Sequence, residues 1–522
     1  MRITNNMIMG STKTNINSNK INVNTLNNQM TSQKKIDKPS DDPVIAVRAL
    51  RLRSNLSQLG HYKDTNIKEV SSWLDTTETA LDNIRSLLND IRTQCNNGST
   101  GTLNADDRNT ILSNLEQLRD QIYSEGNADY AGRTVFTGYK TNSTLTFLED
   151  TTTYSYELTQ NFTYADIEEY TYNYNQVSSE AIANLDVSKL SEDAATAAGA
   201  TGTKEPDSAT AFRIRLAYDD LGDITTQAGG TPEITMSYTD STGAAQTQTM
   251  TVEYKTTEEL EEMEYEIPDN AVYMNKETGE LIFGKTAAES VKQNEASVSI
   301  TYQKTSFESG DLKPEMYFNC TRTNVDTNES VEFTHYDENG DWISEDIHYT
   351  VATNQSMAIN IEANDVLDSN IGRDIDELSD AVQKAIDAHD KVDTIEKMME
   401  QDAYADDESQ EKLALLLEAA NKEATYADER MEDLYSEKVG TFQSYITTVD
   451  LAITDVGARG DRLELTENRV TSQYSTVEKL ASENEDAELS DIVIDYTSAY
   501  LSYQASLQAA AKLEQQTLLD YI

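Results

Sequence analysis

Apolar residues recur every seven positions along both ends of the chain and lose that rhythm in between. Ile67, Leu74, Leu81, Leu88 and Cys95 form one stripe; Val70, Ile84 and Ile91 form a second, with Thr77 as its polar member. This pattern predicts a coiled-coil-like helix from 43 to about 96. "NNGSTG" at 96–101 breaks it. A second helix follows, with Arg108, Ile111, Leu115, Leu118 and Ile122 on one face. Helical spacing returns near 371 with Leu378, Val382, Ile386, Val392 and Ile395. The strongest run comes next: Tyr435, Phe442, Val449, Val456, Leu463, Val470 and Val477, all seven apart. The C-terminal stretch carries its own stripe of Leu489, Ile492, Tyr496, Ala499, Tyr503, Ala510 and Leu513.

The first 42 residues are a special case. Met9, Ile16, Val23 and Met30 keep the seven-residue spacing, yet nine of the first 28 residues are Asn, a poor helix former. Such a segment has a seam but little helix stability of its own. It is expected to be mostly disordered in the free chain and to fold when partners cover it, as is the matching C-terminal stripe.

From 146 to 365 Thr, Tyr and Val dominate. "EITMSY" and "QTMTVEY" flank a Ser-Thr-Gly turn, "AVYMN" and "ELIFG" flank a Thr-Gly turn, and "VEFTHYDENGDWISEDIHYTV" has the same form, so three hairpins are expected. Residues 191–210 read as a flexible loop. The resulting fold class is α+β: a discontinuous long-helix bundle formed by both chain ends, with an inserted β-rich outer region. Three domains are expected: 1–42 with 487–522 for assembly, 43–145 with 366–486 as a helical bundle, and 146–365 as the surface-exposed insertion. The bundle core should contain Ile67, Leu74, Leu81, Leu88, Phe442, Val449, Val456, Leu463 and Val470. The assembly seam should contain Met9, Ile16, Val23, Met30, Leu489, Ile492, Tyr496, Tyr503 and Leu513.

Composition narrows the function. The formal net charge is -52 over 522 residues, which argues against nucleic acid as a partner because phosphate backbones need clustered Lys and Arg. The charge is uneven. Residues 1–63 carry ten Lys/Arg against three Asp/Glu, whereas 485–522 carry seven acids and Lys512, so the two ends are complementary. Hydrophobic content is 37 %, too low for one large core. The two cysteines, Cys95 and Cys320, have no metal-ligand spacing, and a disulfide framework is not expected. No apolar h-region of a signal peptide and no 18-residue apolar run is present, so no membrane partner is expected.

The sequence offers no chemistry. In "KPSDDP", Ser40, Asp41, Asp42 and Pro43 place two acids side by side. No base or further ligand lies nearby, whereas Pro in a first turn after an Asp or Ser cap marks a helix start. "DENGDWISEDIHY" puts Gly340 at the fourth position counted from Asp337, where a calcium loop needs it sixth. Arg459-Gly460-Asp461 falls inside the heptad run and should lie on a helix. His61, His335, His348 and His389 are scattered. No enzymatic activity, cofactor or metal is expected.

Four segments resemble the bacterial flagellin family, and within it the hook-associated branch found at the hook–filament junction. They are "MRITNNMI", "KKIDKPSDDPVIAVRALRLRSNL" with "SSWLDTTETALDNIRSLLNDIR", "NADYAGRTVFTGYKT", and "VGARGDRLELTENRV" with "LSDIVIDYTSAYLSYQASLQAAAKLEQQTLLDYI". "DLKPEMYFN" and "IHYTVATNQSMAINIEANDVLD" are similar to that branch's outer domain. The "LSSG" run of filament flagellins is absent before the first long helix; "MTSQKKIDKPSDDP" stands there instead. The resemblance implies a structural subunit exported unfolded through the flagellar type III channel with the help of an export chaperone. It implies assembly with copies of itself as a ring, next to another hook-associated protein and flagellin, outside the cell. The alternatives are a divergent filament flagellin, and an adhesin or glycan-binding role for the Tyr- and Thr-rich insertion.

Overall fold

The structure, a computed structural model, describes residues 5–100, 103–177, 182, 205–222, 232–239, 243–337 and 340–515. It is α+β: long N- and C-terminal helices pack together and the centre of the chain is β-rich. The helices are α1 (Asn5–Ser32), α2 (Pro43–His61), α3 (Ile67–Gly98), α4 (Ala105–Gly126), α5 (Thr257–Glu262), α6 (Lys285–Gln293), α7 (Asn370–Met399), α8 (Asp407–Glu485) and α9 (Leu489–Gln515). At 79 residues, α8 is roughly 120 Å long. A π-helical turn, Tyr62–Asn66, joins α2 to α3 without a break in the rod.

The chain forms two compact units. The first comprises 1–71, 348–357 and 460–522. Here α1 pairs with α9, and α2 runs antiparallel to the end of α8. Two contacts set that second register: Asn484 donates to the Ile45 carbonyl (3.2 Å), and Gly60 sits so near Tyr474 that a Cβ would touch its ring. A small hairpin, β14 (His348–Ala352) with β15 (Gln355–Ala358), seats against the π turn. Asn66 donates to the Thr350 carbonyl (2.7 Å), Tyr349 to Glu69 (2.8 Å), and Gln355 to Thr466 (3.1 Å).

The second unit comprises 72–347 and 358–459. Leu74, Leu81, Leu88, Cys95, Phe442, Val449 and Val456 are all buried in it. Thr77 is also buried, and its hydroxyl donates to the Trp73 carbonyl (2.9 Å), which removes the cost of a polar group in an apolar seam. After α4 comes a short hairpin, β1 (Asp129–Tyr130) with β2 (Arg133–Thr134), and among the described residues the β region holds two larger sheets. The larger has order β13-β12-β3-β11-β6-β7, with β3 (Tyr154–Phe162), β6 (Glu233–Thr239), β7 (Ala245–Thr251), β11 (Ser297–Lys304), β12 (Asn319–Asn324) and β13 (Ser330–Phe333). Alternate residues of β11 are buried, so this sheet has one covered face. The smaller has order β4-β5-β10-β9-β8, with β4 (Glu168–Tyr174), β5 (Asp207–Arg215), β8 (Glu253–Lys255), β9 (Val272–Asn275) and β10 (Glu280–Phe283). Every residue of β9 and β10 is buried, so both faces of this sheet are covered at these two strands.

The hairpins β6–β7 and β9–β10 form where turn chemistry predicts them. The third does not. β13 pairs backwards with β12, and among the described residues the expected hairpin is reduced to an isolated bridge of Tyr336 with Trp342, beside which the Ile343 amide donates to the His335 carbonyl (2.7 Å). Side chains take the place of the missing ladder. Asn319 accepts from the His335 and Tyr336 amides, Glu362 from the Glu345 amide and Trp342 Nε1, and Asn360 from the Ile347 amide. Of the expected loop 191–210, residues 191–204 lie outside the described residues, and β5 already begins at Asp207.

The ends also differ from expectation. Asn5–Ser32 is helical, and the cover for its seam is the chain's own α9. An Asn-rich helix of low intrinsic stability is held by tertiary pairing.

Candidate assembly surface

On α1 the half-buried positions are Thr12, Ile16, Asn19, Val23, Leu26, Gln29 and Met30. On α9 they are Tyr496, Ala499, Tyr503, Ser506 and Ala510, with Ile492 buried. Alternating steps of three and four give each helix one knobs-into-holes stripe. Asn19 donates to Ser506 (2.6 Å) and sets the register. Ile16, Val23, Met30, Ile492, Tyr496 and Tyr503 lie on the shared stripe. Met9 is 45 % and Leu489 47 % exposed, at the margins of the pair. The side chain of Leu513 lies outside the described residues. Periodicity of apolar residues alone passes over Asn19 and Ser506, because they are polar. Leu26, three residues after Val23, was there to be found.

A clasp fastens the pair at its base. Lys34 and Asp486 form a bridge and an ion pair; the Lys35 amide donates to the Glu485 carbonyl (2.8 Å) and the Ala487 amide to the Gln33 carbonyl (2.9 Å). Arg53 grips Glu485 bidentately, its Nε (2.8 Å) and Nη2 each donating to one carboxylate oxygen. The opposite charges of the two ends meet here.

The two acids of "KPSDDP" divide their work. Asp42 is the N-cap of α2: its carboxylate accepts from the Val44 (2.9 Å) and Ile45 (3.2 Å) amides, with Pro43 in the first turn. Asp41 accepts from the Lys38 (2.9 Å) and Asp37 (3.2 Å) amides, closing the turn before the helix. Ser40 is exposed beside them. Asp42→Ala should lower the thermal stability of the chain by about 1 kcal/mol, and Ser40→Ala should leave the melting curve in place; equal effects would assign the cap wrongly.

Deeper in the second unit lies a buried ionic cluster. Asp374 on α7 accepts from Lys438 (2.8 Å) and Tyr445 (2.7 Å) on α8 and from Arg215 on β5. Glu377 pairs with Arg215 (2.6 Å), Lys438 (3.1 Å) and Arg213. Arg213 continues to Glu168 (2.7 Å) and Glu280, and its guanidinium lies 3.4 Å from the Tyr170 ring centroid. Burial works to raise the Asp374 and Glu377 carboxyls, but the surrounding cations outweigh it and hold both below the usual carboxylate range. Every carboxylate has a cation, which makes this cluster a strut between helix and sheet.

Asp311 behaves oppositely. Burial pushes its carboxyl up to about 6, against a hydrogen bond from the Glu308 amide (2.9 Å). A carboxyl raised on folding destabilises the fold as pH climbs from its ordinary value to the raised one. Asp311→Asn should therefore raise the urea midpoint at pH 7 and lose that advantage near pH 4; an advantage independent of pH would contradict this.

The remaining motifs stay structural. Arg459 lies on α8 and donates to the Asn360 carbonyl (2.8 Å). His389 bonds Asp428 (2.9 Å), which also receives Arg108 (2.7 Å). His335 is buried, and stacks on Trp342. Burial pushes the Cys95 and Cys320 thiols up to about 12, away from thiolate chemistry. No group of His, Cys, Asp or Glu that could hold a metal occurs among the described residues, and no described helix is long and apolar enough to cross a membrane.

Several large apolar side chains face outward: Met7, Ile8 and Ile21 on α1, Val44, Val47 and Leu50 on α2, and Val493, Ile494, Tyr500, Leu501 and Leu507 on α9. Architecture and surface define a class: an α+β protein whose ends pair as long helices and leave apolar stripes uncovered. Residues 3–141 match the family described as bacterial flagellin N-terminal helical region. Flagellar hook-associated protein 3 of Salmonella typhimurium is 28% identical over 144 residues, covering 27% of this chain and 45% of that protein. Its Escherichia coli namesake is 30% identical over 116 residues, 22% of this chain and 36% of that protein. The chain thus spans less than half the length of either relative. Among solved structures, a putative flagellar hook-associated protein from Vibrio parahaemolyticus aligns at 14% identity and TM-score 0.34, covering 85% of this chain and 100% of that one. A flagellar junction protein from Legionella pneumophila aligns at 11% identity and TM-score 0.28, covering 84% and 99%. Over part of its length the chain is thus related to flagellar hook-associated proteins.

Proposed function

We propose that this chain is an extracellular structural subunit of the bacterial flagellum, the junction adaptor between hook and filament, assembled as a ring after type III export. The observation that carries this reading is the α1–α9 pair: a zipped seam with further apolar stripes facing outward on a chain of net charge -52. Stripes of that kind are kept for other subunits. The similarity of residues 3–141 and of the hook-associated relatives supports the flagellar setting. Its neighbours in the assembly are then copies of itself, another hook-associated protein and flagellin, with an export chaperone before assembly and no enzymatic step. Deleting the gene should leave hooks in place and release flagellin into the medium; normal filaments in that strain would rule the role out. The same family match favours a second reading, a divergent filament flagellin. Mass spectrometry of sheared filaments separates the two: a trace component fits the adaptor, a bulk component the flagellin.

A further inference from the structure

The first unit carries an open groove of about 560 Å³, lined by Asn55, Gln58 and Leu59 from α2, Thr353 from the β14–β15 turn, and Arg469, Ser472, Thr476 and Val477 among others from α8. Its walls continue as exposed apolar positions at helical spacing. Val44, Val47 and Arg51 share the α2 face of Asn55 and Gln58, with Arg48 at its edge. Leu465 and Leu480 share the α8 face of Arg469, Ser472 and Thr476. Leu465 is 72 % exposed and Val44 70 %. The groove is thus lined mostly by polar side chains around Leu59 and Val477, with Leu465 and Leu480 beyond its two ends on α8 and Arg48 and Arg51 at one end.

A face of opposite sign lies on the same unit. On the side of α9 turned away from α1, Ile494 and Leu501 form a ridge, 66 % and 59 % exposed. Exposed Asp491 and Asp495 flank it, and Ser498 and Ala505 complete the face. The two faces differ in shape and charge, so they suit a head-to-tail contact between copies, the kind that closes into rings or winds into tubes.

We propose that the α2–α8 groove receives the Ile494–Leu501 ridge of α9 from a second copy of this chain, with Arg48 and Arg51 set against that copy's Asp491 and Asp495. This rests on the reading of the chain as a self-assembling subunit. Docking removes Ile494, Leu501 and Leu480 from water, and the ionic end fixes the direction of the ridge along the groove.

Mixing full-length chains tests it. One carries Gln58→Cys in the groove wall, the other Ser498→Cys between the ridge residues. They are brought together at high protein concentration and low ionic strength, where exposed charge pairs are least screened, and oxidised. A disulfide-linked heterodimer is expected, about tenfold above the yield for Gln58→Cys mixed with Thr247→Cys on the exposed strand β7. Arg48→Glu with Arg51→Glu on the groove chain should lower that yield on the order of tenfold, and Asp491→Lys with Asp495→Lys on the ridge chain should restore it. A yield no higher than the Thr247→Cys control, or charge reversal without effect, overturns the contact. The outcome is separable from the role. A heterodimer with normal filaments in the deletion strain would sink only the junction reading. A missing heterodimer with flagellin leakage would sink only this contact.

Discussion

Asp374→Ala is expected to lower the unfolding free energy by about 3–5 kcal/mol, the cost of leaving buried partners of one charge uncompensated. Removing this carboxylate leaves the largely buried Lys438 and Arg215, together with Arg213, to share Glu377, and leaves the Tyr445 hydroxyl without its acceptor. The measurement is the urea midpoint at pH 7, with Arg53→Ala as reference. Arg53 also pairs with an acid, but its side chain is 63 % exposed, so its loss should cost under about 1 kcal/mol. Similar midpoints for the two variants would show that the cluster is not a strut. The pH dependence has a defined sign. Asp374 and Glu377 are held below their ordinary values of 3.8 and 4.5, so their contribution is complete above those values and declines only as pH falls beneath them. Acidification to pH 5 should leave the strut intact.

Removing both ends, to leave residues 33–487, should abolish incorporation into flagella while barely moving the main thermal transition. α1 and α9 satisfy each other's seam, so their joint removal opens little of the remaining core, and the Lys34–Asp486 clasp is retained. Removing α9 alone should do worse, because the α1 stripe then meets water and the soluble chain should associate non-specifically, as read by light scattering. Incorporation of the doubly truncated chain at the level of the full chain would refute an assembly role for the ends.

The helical architecture was legible because its driving force is periodic. A stripe of apolar residues seven apart needs no knowledge of its partner, and Leu81, Val449 and Val456 are buried where the spacing puts them. The partner itself was less legible. That α1 would be covered by α9 rests on polar residues, Asn19 against Ser506, and on charges at 34, 53, 485 and 486 that read only as an end-to-end imbalance. The β region was harder still. The tight turn at 276–279 announces itself locally, whereas the path of 335–347 is held by Asn319, Asn360 and Glu362 reaching across from elsewhere in the chain. The buried cluster joins Arg213 and Arg215 to acids some 160 residues on, at positions no spacing rule connects.

The π turn at 62–66 records a change of phase. Upstream, Ile45, Leu52 and Leu59 step by seven; downstream, Ile67, Leu74 and Leu81 do the same; but Ile67 follows Leu59 by eight. One residue too many would swing everything beyond it by about 100° around an ordinary helix axis. A π turn takes up one additional residue, which offsets that change of phase locally. At this point the chain holds one residue more than a strict heptad, and the widened turn is the seat of the β14–β15 hairpin.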